Sequence, residues 1–103
     1  MAGAGRAWGM AVVRGRSMLP TLHDGDRLLV RHGGAPGPGR LVVARFPDGR
    51  LTVKRAVRRT GSRWWVAADN AEEGVDSRHV GPVPAYDVVA VVRARLWPRP
   101  QRL

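Results

Sequence analysis

The chain has 103 residues, enough for one hydrophobic core and too few for two. It contains no cysteine, which excludes disulfides, thiolate metal sites and a cysteine nucleophile. The formal net charge is +10, but the basic residues are spread along the chain apart from Arg58-Arg59 and the tail Arg93, Arg95, Arg99 and Arg102, so an Arg-rich solvated surface is favoured over a nucleic-acid footprint.

In chain order, Met10 to Arg14 is a brief apolar run ending at Gly15. The uncharged stretch Ala7 to Val13 is far short of the ~20 residues of a membrane span, and it makes a poor secretory leader, so a soluble cytoplasmic protein is expected. After the turn signal Asp24-Gly25-Asp26, Arg27 to Arg31 reads as a strand. A Gly/Pro loop, Gly33 to Gly39, leads into Leu41 to Phe46. Pro47-Asp48-Gly49-Arg50 is hairpin chemistry, and Leu51 to Val57 returns as the partner strand. Thr60-Gly61-Ser62 turns into Trp64 to Ala67, where one tryptophan faces the core and its neighbour faces out. Asn70 to Arg78 reads as a polar loop, and Tyr86 to Leu96 as a long strand. No stretch has helical periodicity. The expected fold is all-β: a compact coiled sheet or barrel-like domain with little helix. It forms a single domain over 1–103, with its motif-bearing core at about 12–96 and short basic termini.

Of eighteen basic side chains, Lys54 alone is a lysine. Arginine does not deprotonate in proteins, whereas a lysine in an apolar pocket does, so Lys54 is a candidate general base. It lies mid-strand on the face it shares with Thr52 and Ala56, small side chains that leave room for a substrate. Ser17, in Gly15-Arg16-Ser17-Met18-Leu19-Pro20-Thr21-Leu22, follows a glycine at a strand-to-turn position, and Pro20 stops any regular strand there. A serine nucleophile with a lysine base is a known variant of the catalytic triad. His23, His32 and His79 show no metal-ligand spacing; no metal or cofactor is expected.

Four ordered boxes extend this pair: Ser17-Met18-Leu19-Pro20-Thr21-Leu22, Gly25-Asp26, Val53-Lys54-Arg55, and Asp69-Asn70 with Asp76-Ser77-Arg78 and Gly81. The series resembles the type I signal peptidase family of Ser/Lys proteases across roughly Val12 to Val83. The resemblance implies Ser17 as nucleophile, Lys54 as base, and the all-β catalytic core of that family. It implies an oxyanion site built from backbone groups of Ser17, Arg16 and Gly15, since Gly15 stands where some members carry a hydroxyl. Met18 and Pro20 are substrate-pocket candidates. Gly25, Asp26, Arg55, Asp69, Asn70, Asp76, Ser77 and Arg78 are structural motif residues, with Gly25-Asp26 setting a tight turn, Asp76 pairing with Arg78, and Asp69 bonding within its loop. Where family members often place a serine that orients the lysine, this chain has Gly74, so the partner of Lys54 is open.

The chain's size and lack of an anchor look most like the soluble protease that matures nickel-type superoxide dismutase, which implies a precursor leader as substrate and nickel only in the product. The alternatives are a small basic β-barrel that binds nucleic acid through its tryptophans, and an inactive leader-peptide binder. A self-cleaving repressor-type domain shares the dyad but needs more chain upstream of Ser17.

Overall fold

The computed structural model describes residues 7–103; the basic N-terminal stretch through Arg6 lies outside them. The fold is all-β, as expected. The strands are β1 (Trp8–Val12), β2 (Arg27–His32), β3 (Leu41–Arg45), β4 (Leu51–Thr60), β5 (Arg63–Ala67), β6 (Val83–Pro84), β7 (Val88–Trp97) and β8 (Gln101–Arg102). They form one antiparallel sheet in the order β1-β2-β7-β3-β4-β5-β6, with β8 pairing to β7.

The sheet curls so that β3 is buried on both faces, which suits an uninterrupted Leu-Val-Val-Ala run. Leu41 and Val43 join Val13, Met18, Leu22, Leu28, Val30 and Val53 in one apolar cluster. Val42, Ala44 and Phe46 join Ala56, Trp64 and Val66 in a second. Strand β4 serves both sides. Leu51 to Arg55 pairs with β3, whereas Arg55 to Thr60 pairs with β5, and the register shifts between Ala56 and Arg58. That shift marks a bulge, which bends the strand away from β3. No described strand covers the second edge of Leu51 to Lys54, and β1 likewise has one open edge.

β4 runs on to Thr60, and the short strands β6 and β8 go beyond the sequence reading; three further details depart from it. β1 begins two residues early, at Trp8, and ends at Val12, where Val13 exchanges backbone bonds with Gly25 and Asp26. Tyr86 falls in a 3-10 turn, Ala85–Asp87, ahead of β7. The polar loop ends in a four-residue helix, α1 (Ser77–Val80), too short to leave any periodicity. Its start was nevertheless written in the sequence: Asp76 caps the Arg78 N–H at 3.0 Å, and His79 Nδ1 accepts the Asp76 N–H at 3.2 Å, an imidazole taking the usual Glu/Gln part of a capping box. Of the adjacent tryptophans, Trp64 is buried and Trp65 lies under the Arg58 guanidinium, 4.8 Å from its ring centroid.

Candidate active site

Ser17 stands on an excursion between β1 and β2. The two ends of that excursion hold each other: Val13 N–H donates to Asp26 O at 2.9 Å, and Gly25 N–H donates to Val13 O at 2.8 Å. Gly15 takes φ +84°, a left-handed conformation open to glycine at no steric cost. Met18 and Leu22 are fully buried in the first cluster and clamp the turn by a Leu22 N–H to Met18 O bond of 2.8 Å. Ser17 is thereby left half-buried at the rim, just above the core.

Lys54 approaches from β4, where it sits opposite Val42 in the register. It is 3% exposed, and the Phe46 ring centroid lies 5.8 Å from its Nζ. Nζ lies 3.0 Å from Ser17 Oγ, 2.7 Å from Thr52 Oγ1 and 3.3 Å from Val53 O. Burial lowers its pKa to about 8; the Asp76 carboxylate opposes that shift and the Arg50 guanidinium adds to it. The contacts suit both protonation states. An ammonium has three protons for three acceptors, while the neutral amine keeps two protons for Thr52 and Val53 and turns its lone pair to the Ser17 hydroxyl. Such an arrangement can remove the serine proton.

Thr52 has a role that sequence reasoning missed. Besides being a small side chain at the cleft, it holds the lysine through its hydroxyl. The period-2 spacing Thr52-x-Lys54, with Gly74 lacking a hydroxyl, was the available signal. At position 74 an added Cβ would lie 2.8 Å from both Ser17 Cβ and Ala68 Cβ, so the glycine allows the acidic loop to close on the turn that carries Ser17.

The remaining motif residues fasten these two elements together. Asp69 bonds outside its own loop, contrary to expectation: it accepts Thr21 Oγ1–H at 2.6 Å and both Nε and Nη2 of Arg55, at 2.8 and 2.7 Å. It is drawn outward because Arg55, next to Lys54, presents a planar two-toothed donor. The guanidinium holds the Asp69 carboxyl below the usual carboxylate range, helped by the Thr21 hydroxyl. Asn70 bonds back to Arg16 and Ser17. Asp76 is buried and accepts Ala68 N–H at 2.9 Å and Arg78 Nε at 3.0 Å; burial alone would raise its pKa, but these bonds bring it below the ordinary value. Ser77 Oγ accepts Val66 N–H at 2.8 Å. Gly25 is left-handed at φ +88°, and Asp26 closes its turn by accepting His23 N–H at 2.9 Å.

Two clefts meet at Ser17 and share Arg14, Ser17 and Thr52. One, of ≈ 290 Å³, runs between the open edges of β1 and β4; its floor includes Met18, Val30, Val43 and Val53, and its rims carry the exposed Met10 and Leu51. The other is polar, lined by Arg16, Arg50, Lys54 and Glu73. Pro20 belongs to neither. It is exposed and lines a separate surface hollow with Asp26 and Trp97. Gly15 is also unavailable as a backbone donor, since its N–H is taken by Asp24 Oδ1 at 2.7 Å. Among the described residues no acceptor takes the N–H of Ser17 or of Arg16.

The peptidase S24-like family matches residues 3–92. The chain belongs to that family. Its relatives include the mitochondrial ATP-independent inner membrane protease subunit 1a of Arabidopsis thaliana, 32% identical over 115 aligned positions that take in 84% of this chain and 68% of the relative. The mitochondrial inner membrane protease subunit 1 of Schizosaccharomyces pombe is 33% identical over 112 positions, covering 84% and 71%. Both relatives are named as membrane proteases; in this chain no helix of the described residues is long and apolar enough to cross a membrane. A peptidase-family chain, then, brings its only lysine to a serine hydroxyl beside an apolar cleft.

Proposed function

We propose that the protein is a serine endopeptidase in which Ser17 is the nucleophile and Lys54 the general base. The 3.0 Å approach of Nζ to Oγ, with the lysine desolvated to a pKa of about 8, carries this reading. The Ser17 proton passes to Lys54 Nζ as Oγ bonds to the scissile carbonyl carbon. The Ser17 N–H receives the resulting oxyanion, a contribution often worth ~3 kcal/mol. Collapse breaks the C–N bond; Lys54 returns its proton to the departing amine, leaving an ester on Ser17. A water then attacks the ester, giving its proton to Lys54, and the serine is restored as the acid leaves.

The substrate enters extended. The unpaired edges of β1 and of Leu51 to Lys54 flank the apolar cleft, and backbone edges of this kind bind a peptide as an added strand. The proposed reaction is removal of an N-terminal leader, and the precursor of nickel-type superoxide dismutase is the proposed substrate, on the sequence resemblance. Incubation of that precursor with wild type, Ser17→Ala and Lys54→Arg, followed by mass spectrometry, tests both. Cleavage by wild type alone is expected. Undiminished cleavage by Lys54→Arg, which keeps the charge but cannot deprotonate, would sink the dyad; cleavage of unrelated leaders but not this precursor would remove the substrate.

A further inference from the structure

We propose that Asn70 is a positioning residue for the oxyanion donor, clamping the peptide planes on both sides of Ser17. The role rests on the Ser17/Lys54 reading above. Asn70 N–H donates to Ser17 O at 2.8 Å, and its Nδ2 donates to Arg16 O at 3.1 Å. A peptide unit is rigid and planar, so the Arg16 carbonyl and the Ser17 N–H move as one body. Anchoring Arg16 O therefore aims the Ser17 N–H. Anchoring Ser17 O holds the next plane, so the two soft torsions of Ser17 are restrained from both sides.

Several observations set this residue apart from a general brace. Arg16 O also accepts Leu19 N–H at 3.2 Å, so both its lone pairs are engaged. Hydrogen bonds to a carbonyl polarise its amide and strengthen the N–H as a donor. The side-chain amide cannot be turned over: Nδ2 faces two acceptors, Arg16 O and Glu73 Oε2 at 3.1 Å, and a flip would set oxygen against oxygen. Glu73 is held in turn by Arg16 Nε at 3.0 Å. Asp69, the neighbouring motif residue, reaches Thr21 and Arg55 and makes no such contact with the planes at Ser17.

The test separates oxyanion binding from substrate binding and from base chemistry. For wild type, Asn70→Ala and the milder Glu73→Gln, three quantities are measured: kcat/KM on a cleavable peptide, the inhibition constant of a peptide aldehyde that forms a hemiacetal on Ser17, and the Kd of the uncleaved peptide on a Ser17→Ala background. In Asn70→Ala, kcat/KM is expected to fall about ten- to hundredfold, less than the 10²–10³ for outright loss of a donor, and the aldehyde constant rises in parallel. Peptide Kd stays within about twofold, and the acid limb of the pH profile stays where wild type has it. Glu73→Gln, a change at an exposed side chain, shows the same pattern at smaller size and decides the matter if Asn70→Ala does not fold. Parallel loss of peptide binding, a moved acid limb, or an unchanged aldehyde constant overturns the role while the dyad stands. A wild type that neither cleaves nor binds the aldehyde overturns the dyad and the role together.

Discussion

Lys54 shows how one buried amine sets the working range of the proposed site. With a pKa of about 8, roughly a tenth of it is neutral at pH 7. kcat/KM should therefore rise about tenfold per pH unit below 8 and level off above it, which a pH–rate series on a neutral peptide measures. Thr52→Val removes an acceptor that favours the ammonium. The plateau is then expected to fall by about tenfold through lost alignment, while the acid limb moves to lower pH. Gly74→Ser places a hydroxyl beside Ser17 but forces Cβ against Ser17 and Ala68. We expect kcat to drop and stability to fall by about 1–3 kcal/mol, read by peptide cleavage and thermal melting. Lys54 was legible because the composition spared one lysine. Thr52 was not, since a threonine beside a lysine has many meanings until the strand places both on one face.

At the level of elements, the links between the Ser17 turn and the Lys54 strand matter most. Thr21, Asp69 and Arg55 form one such link, partly shielded from water. Asp69→Asn should cost about 1–2 kcal/mol, between an exposed pair and a buried one. The sign follows from the lowered carboxyl pKa: the folded state holds the proton less tightly, so the contribution is present above about pH 4 and disappears as pH falls through the folded value. Urea melts should show a smaller difference between wild type and Asp69→Asn at pH 3 than at pH 7. The box carrying Asp69 was readable in sequence, whereas its partners were not, because they lie 48 and 14 residues away. α1 was missed for a different reason: four residues cannot show a period, so its cap was the only trace.

For the whole molecule, burying Lys54 is a cost to folding. The unfolded lysine titrates near 10.4 and the folded one near 8, so between these values the unfolded chain binds the extra proton and stability rises with pH. Lys54→Met should melt higher than wild type at pH 7 and lose that rise, as calorimetry from pH 7 to 10 would show. An all-β fold was legible from short β-branched runs with Gly/Pro punctuation. The strand order was not, since it depends on a bulge after Ala56 that hands β4 from one neighbour to another.

That hand-over leaves Leu51 to Lys54 with a bare edge facing the equally bare edge of β1. A guest held there by its main chain presents alternate side chains inward and outward. On the proposed reading, a substrate lineage would drift at every second residue without losing its processing, while the inward positions stay under the scrutiny of an apolar floor. Selection on the substrate would leave a mark of period two, a rhythm set by the enzyme's own strands.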